Sequence, residues 1–269
     1  MKNVPQEILD RKGPRSFKYL NPEVMAYLDR GQIETKNLME WLAVDQLGLL
    51  RHVLEELDTV QWCSDFEAAV NAEKKPSANT TAKIIGVTFG LLSRDPQVYA
   101  QLSAHASDVV RCWACWGQSM HHDGLDALLA AMKPYAADRH FGVREVVIFA
   151  TKERMIANLD KAITILTPWT EDPDDNIRRF AAEALRPVGV WVKKIQSFQE
   201  EPELGLPVLE PLMSDPSKYV RDSVGNWLND ASKSQPEWVE DVCDRWKAKS
   251  ASKETRYIIN KALRTIRKK

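Results

Sequence analysis

An all-α solenoid of stacked helix pairs is what this 269-residue sequence predicts, and three observations predict it. The first is a repeated segment. DPDDNIRRFAAEALR at 172–186 returns 43 residues later as DPSKYVRDSVGNWLN at 215–229. The second is the spacing of apolar residues. Ile177, Phe180, Ala181, Ala184 and Leu185 fall at offsets 0, 3, 4, 7 and 8, which is one face of an α-helix. The third is that no segment reads as a strand.

In the second copy Val220, Val224, Trp227 and Leu228 keep the same frame, with Ser223 at offset 3. Three more copies follow once the frame is known. Val143, Val146, Val147 and Ala150 form one, with Arg144 at offset 1. Ile258, Ile259, Ala262 and Leu263 form another from Thr255, with Arg256 at offset 1. Val110, Trp113 and Ala114 form a weaker one, with Arg111 at offset 1. The starts at 110, 143, 177, 220 and 255 are 33, 34, 43 and 35 residues apart. Each interval has room for two helices and their turns, the period of a HEAT-like repeat.

Residues 125–132, 159–166, 204–213 and 238–246 read as the first helices of the pairs. Asp-Pro at 172–173 and 215–216 reads as an N-cap followed by a fixed-φ first residue. The longest interval holds an insertion, RPVGVWVKKIQSFQEEPELGLP. The N-terminal half is less regular. Asn21-Pro22 and Gly31 bracket a short helix, and 36–57 reads as one long amphipathic helix. Residues 74–79 read as a polar loop, with helices at 80–93 and 96–105. The expectation is a single curved domain over 1–269, clearest in its repeats over 106–269, with a flexible segment at 1–20.

Composition narrows the functional classes. Hydrophobic residues at 44% and charged residues at 28% fit a soluble globular chain. No apolar run is long enough to span a membrane, and MKNVPQEILDRKGPRSFKYL has no stretch of signal-peptide length. Four cysteines without a dense framework fit a reducing compartment, so a cytoplasmic protein is expected. The net charge of -1 hides an asymmetry: residues 176–269 carry +5 and the remainder -6. A lone CxxC, Cys112 and Cys115, precedes His121 and His122. It lies inside a helix frame and has no second CxxC, so no zinc or other metal is expected. No GxGxxG or Walker-type loop is present, and no cofactor is expected.

With offsets 0, 3, 4, 7 and 8 buried, offsets 2, 6 and 9 face outward. They are Cys112, Trp116 and Ser119; Glu145, Phe149 and Lys152; Arg179, Glu183 and Arg186; Asp222, Asn226 and Asn229; Tyr257, Lys261 and Arg264. Basic groups interleaved with aromatics suit a nucleic-acid backbone and exposed bases. A protein-binding surface uses the same residue types.

At these residues the chain resembles a known family. IRRFAAEALRP, VRDSVGNWLNDASKSQPEWV and TRYIINKALRTIRKK are similar to segments of the DNA alkylation repair glycosylases of the AlkC/AlkD type. The patterns IRR-x4-E-x2-RP and VR-x-SV-x-N-x-LND-x2-K-x2-P are nearer the AlkC branch. The resemblance is strong over 140–269 and loose before that. It implies a C-shaped solenoid that grips double-stranded DNA with alkylated bases, acting as a monomer at the bacterial nucleoid. It also implies cleavage of the N-glycosidic bond of N3- or N7-alkylated purines, with a carboxylate stabilising an oxocarbenium-like sugar.

By that resemblance Glu183 is the candidate catalytic carboxylate and Asp108, which reads as a helix N-cap, the second. Trp116 is the candidate for stacking on the lesion, and Arg144 and Arg178 for phosphate. His140, Lys152, Arg179, Arg186, Asn226, Lys261 and Arg264 complete the candidate DNA face. Trp113 sits in the core frame. Arg179 and Glu183 are also spaced for a salt bridge. Two acids of the family pattern are missing: Arg111 stands near the place of one, and His140 at the other. Two further readings therefore stay open, a DNA-binding relative without cleavage and a HEAT-like protein-interaction scaffold.

Overall fold

The computed structural model describes residues 4–189 and 194–268, and among them there are seventeen α-helices and no strand. They are α1 (Gln6–Leu9), α2 (Pro22–Leu28), α3 (Leu38–Ala43), α4 (Gln46–Glu56), α5 (Cys63–Asn71), α6 (Ala78–Leu92), α7 (Pro96–Ala104), α8 (Asp108–Ser119), α9 (Leu125–Ala136), α10 (Phe141–Ala157), α11 (Leu159–Leu166), α12 (Asp175–Glu183), α13 (Ser197–Glu200), α14 (Leu206–Leu209), α15 (Lys218–Ala231), α16 (Pro236–Lys249) and α17 (Lys253–Ala262). Contacts divide the chain into two units: residues 1–123 with 139–147, and residues 124–138 with 148–269.

In the first unit, side-chain caps set the helix starts. Asn21, Asn37, Asp45, Ser77 and Asp95 each accept a backbone N–H from the first turn of α2, α3, α4, α6 and α7. The single helix expected over 36–57 is two helices. Val44 leaves helical geometry at ψ 128°, and Asp45 then caps α4 through the Gly48 N–H at 3.0 Å. Helix α5 has no counterpart in the sequence reading. The core holds Leu49, Leu50, Phe66, Ile85, Phe89 and Trp113, all buried. Helices α6 and α8 cross at glycines. A Cβ on Gly86 would stand 2.6 Å from the Trp113 carbonyl oxygen, and one on Gly117 would stand 2.8 Å from the Gly86 carbonyl oxygen.

In the second unit, α12, α15 and α17 carry three copies of the repeat and lie side by side. Their cross-links ascend together: Glu183 meets Ser223, Arg186 meets Asp230, Asp222 meets Tyr257, and Asn229 meets Thr265. The three helices therefore run parallel, one repeat apart. The apolar frame is buried as its spacing requires: Ile177, Phe180, Ala181, Ala184 and Leu185 on the first, Val220, Val224, Trp227 and Leu228 on the second. Ser223, at the same offset as Phe180, is also buried.

Two local expectations are corrected. The helix expected over 204–213 is broken into a 3-10 turn at 202–205, α14, and a second 3-10 turn at 210–212. Pro207 and Pro211 lack the N–H that a continuous helix needs there. The Asp-Pro pairs do not cap their helices; Asp174 and Ser217 occupy the cap positions of α12 and α15. The pairs sit outside the helix, and the arginine at offset 1 turns back onto them. Arg178 Nη1 donates to the carbonyls of Asp172 and Pro173 at 2.9 and 3.1 Å, and Arg221 Nη1 to those of Asp215 and Pro216 at 2.9 and 2.7 Å. In the first unit Arg111 Nη1 does the same to His105 and Ala106, at 2.9 and 3.3 Å. In all three cases the acceptors lie six and five residues upstream. Part of the insertion, 190–193, lies outside the described residues; beyond it Ile195 and Phe198 are buried, with the Phe198 ring 5.2 Å from Trp227.

Candidate functional site

A connected polar network covers one face of α12 and α15, and Glu183 is at its centre. Glu183 closes α12, where its side chain is 13% exposed. Its Oε1 accepts from Arg186 Nη1 at 2.7 Å, and its Oε2 from the Ser223 hydroxyl at 2.6 Å. Burial alone would raise this carboxyl. The charges of Arg179 and Arg186 and the Ser223 hydrogen bond outweigh it and hold the group below its ordinary value, so it is ionised at neutral pH.

Arg186 is itself held on its other edge. Its Nε and Nη2 donate to Asp230 Oδ2 at 2.9 and 2.7 Å, and Lys233 Nζ donates to Asp230 Oδ1 at 2.8 Å. Arg179 is buried, with its guanidinium 4.6 Å from the centre of the Tyr219 ring. Lys152, 2% exposed on α10, donates to the Ala184 carbonyl at 2.7 Å and the Arg186 carbonyl at 3.3 Å. Glu183, Lys152, Arg179 and Arg186 are thus brought together. Ser223 and Asp230 join them although the sequence reading missed both. The signal for Ser223 was present: a hydroxyl stood at a core position of the repeat frame, opposite Glu183.

The face expected to be open is closed at several places. Cys112, Ser119, Lys152, Arg179 and Asn229 are buried. At Lys152 and Asn229 the residue at offset 9 reaches the next helix of the row instead of solvent. Lys152 bonds the carbonyl of Ala184, and Asn229 Nδ2 bonds that of Ala262 at 3.0 Å; both acceptors are at offset 7 of their helix. Asn229 also donates to Thr265 Oγ1 at 2.9 Å and accepts from Arg264 Nε at 2.7 Å. The LND and ALRT segments are therefore bonded to each other.

Lys261 donates to Asp222 at 2.6 Å, as do Lys218 at 2.7 Å and the Tyr257 hydroxyl at 2.6 Å. Burial would raise Asp222, but these three partners lower it to about 2. Arg178 is bonded to Asp215 through Nε at 2.7 Å as well as to its own loop. Arg264 is exposed, and Asn226 is half-buried on α15.

The remaining candidates belong to the first unit. Asp108 is fully buried, and it follows the cap residue Ser107 rather than capping α8 itself. Its carboxylate accepts the Thr35 N–H and hydroxyl, both at 2.9 Å, and lies 3.1 Å from His140 Nδ1. Those bonds tie residues 31–37 to α8 and leave Asp108 no solvent face. His140 is buried in the same cluster, with Nε2 2.9 Å from the Thr35 carbonyl oxygen. Arg144 and Trp116 are half-buried, and Lys83 Nζ lies 5.2 Å from the centre of the Trp116 ring. Trp113 is wholly buried and donates to Gln46 at 3.1 Å.

Among the described residues no three His, Cys, Asp or Glu side chains group to hold a metal ion, and no helix is long and apolar enough to cross a membrane.

The chain is similar to known proteins in part of its sequence and in its fold. Residues 143–266 match the model of the DNA alkylation repair enzyme. The uncharacterised protein YhaZ of Bacillus subtilis (strain 168) is 40% identical over 121 residues, covering 45% of this chain and 33% of YhaZ. The chain spans about a third of the length of that curated relative. Pseudomonas fluorescens alkylpurine DNA glycosylase AlkC, solved bound to DNA containing an abasic site analog, superposes with a TM-score of 0.68 at 22% identity, over 95% of this chain and 66% of that one. AlkD2 from Streptococcus mutans superposes at 0.58 with 25% identity, over 76% of this chain and 97% of its own. The helical-repeat fold is thus shared with the solved AlkC and AlkD2 structures, and residues 143–266 match the model of the DNA alkylation repair enzyme.

Proposed function

We propose that the protein binds duplex DNA and cleaves the N-glycosidic bond of N3- or N7-alkylated purines, with Glu183 as the carboxylate at the reacting sugar. The observation that carries this reading is the Glu183 arrangement. Its carboxylate is ionised, mostly buried and fixed through one hydrogen bond on each oxygen. A carboxylate oxygen has two lone pairs, so each keeps one for a water or a sugar.

An alkylated purine carries a positive charge. When the C1′–N bond breaks, its electron pair moves onto the base, which leaves neutral, and the sugar becomes an oxocarbenium ion. Glu183 stabilises that cation, at short range and partly out of water, where a charge acts more strongly than in bulk. Water then adds to C1′ and loses its proton through Glu183 to solvent, giving an abasic site. A carboxylate held below its ordinary pKa is a weak base, so charge stabilisation is the larger part of its role. Exposed Arg256 and Arg264, with Lys218 and Lys233 beside the network, supply phosphate contacts.

A second reading, a DNA-binding relative without cleavage, is favoured by one observation. Arg179 and Arg186 both act on Glu183 and offset its charge. Release of methylated purines from alkylated duplex DNA, wild type beside Glu183→Gln, separates the two. Release by the wild type and loss in a folded variant supports the first reading. Release by both keeps the glycosylase and discards Glu183. Duplex binding without release supports the second reading, and absence of both leaves a protein-interaction scaffold.

A further inference from the structure

We infer that Lys152 is a positioning residue for Glu183: it holds the turn that presents the carboxylate, and its own charge sets how strongly that carboxylate favours a cation. The inference rests on the glycosylase reading of the Glu183 site and extends it to a residue that is almost wholly buried.

The geometry is specific. The Lys152 nitrogen donates to the carbonyls of Ala184 and Arg186, the first and third residues after Glu183. Ala184 is the C-cap of α12 and Arg186 lies two residues beyond it, in the stretch where carbonyls leaving the helical ladder favour a donor. Lys152 therefore fixes the backbone on which both Glu183 and its partner Arg186 stand. The charged groups that face it are Glu183 and Arg186 from the end of α12 and Asp230 from α15. Arg179 adds to them through Glu183, and Lys233 through Asp230.

Charge arithmetic then decides the sign of the site. Among the groups that face Lys152, Glu183 and Asp230 carry two negative charges and Arg186 one positive, so they sum to -1. A protonated Lys152 cancels that charge and weakens the pull on an oxocarbenium ion. A neutral Lys152 leaves the Glu183 charge uncancelled by a further cation, and its nitrogen still donates to both carbonyls. Burial lowers the lysine from 10.5 to about 7, which places the change near neutral pH. A unit charge removed at this range in a partly buried site alters a cationic transition state by on the order of tenfold or more in rate.

The test uses two readouts. The first is a carbon-13 titration of the Glu183 carboxylate in the full-length protein, assigned with Glu183→Gln. An inflection near pH 7, far above the carboxyl's own, is expected in the wild type and should vanish in Lys152→Met. The second is single-turnover release of methylated purine across pH 6–8.5. The wild-type rate should rise about tenfold through the same inflection, Lys152→Met should be flat, and Lys152→Arg should stay low throughout. A wild-type titration without the inflection overturns the inference, and it needs no variant to fold. A pH–rate profile unchanged in Lys152→Met overturns it as well. If the wild type releases no base at all, the glycosylase reading fails, while the carboxylate titration still decides whether Lys152 sets the charge at Glu183.

Discussion

Replacing Asn229 with alanine should destabilise the fold by about 3 kcal/mol. Asn229 is 1% exposed and its amide makes four hydrogen bonds: it donates to the Ala262 carbonyl and Thr265 Oγ1, and accepts from Arg264 Nε and Thr265 Oγ1. The bond to the Ala262 carbonyl has no ready substitute and contributes about 1–1.5 kcal/mol. The Thr265 and Arg264 bonds lie nearer solvent, which takes over in part, so together they add about 1 kcal/mol. The emptied amide volume adds roughly 1 kcal/mol more. A loss of that size lowers the thermal midpoint by roughly 6–12 °C in a chain of this length. Thermal unfolding followed by circular dichroism measures it directly. A midpoint displaced by less than about 2 °C would refute the claim that Asn229 locks α15 to the end of α17.

Three other outcomes follow from the same structure. Because burial lowers Lys152 to about 7, the unfolded chain holds its proton between about pH 7 and 10.5 where the folded chain has released it. Its contribution to stability therefore rises with pH across that window, and denaturant midpoints at pH 7 and pH 10 should show less of that rise in Lys152→Met. Gly86→Ala should cost about 3 kcal/mol, read from urea unfolding, because its Cβ would stand 2.6 Å from the backbone oxygen of Trp113 and neither helix can yield cheaply. Asp222→Ala should free Lys218 and Lys261, tighten duplex DNA binding, and steepen the plot of log affinity against log salt by about 1–2.

The helix pairs were legible because their information is local and periodic. Ile177 through Leu185 and Val220 through Leu228 announce a buried stripe by spacing alone, and the stripe is buried. What escaped was whatever depended on a neighbour. The break at Val44 and Asp45 lies in residues that all tolerate a helix, and only the Asp45 cap on Gly48 declares it. Asp172 and Asp215 resemble caps by type, yet the caps stand two residues further on, at Asp174 and Ser217. At the site, periodicity placed Glu183, Arg179, Arg186 and Lys152 on one side of their helices. It could not tell solvent from the adjoining repeat, and for Lys152 and Asn229 the adjoining repeat fills that side. Asp108 was singled out by the sequence, but its burial was not legible, since its partner Thr35 is 73 residues away.

The arginine at offset 1 has a consequence for how such a chain can lengthen. Each of Arg111, Arg178 and Arg221 closes a loop of only six residues onto its own helix, without borrowing a partner from the preceding helix for that bond. The entry angle of the helix is therefore decided locally. The 43-residue interval shows what this permits: its eight to ten extra residues fall within 186–207, before Asp215 and upstream of the closed loop. Residues can be added or lost in the joints while each helix still begins where its own arginine starts it, so the array can acquire new surface without rebuilding its core.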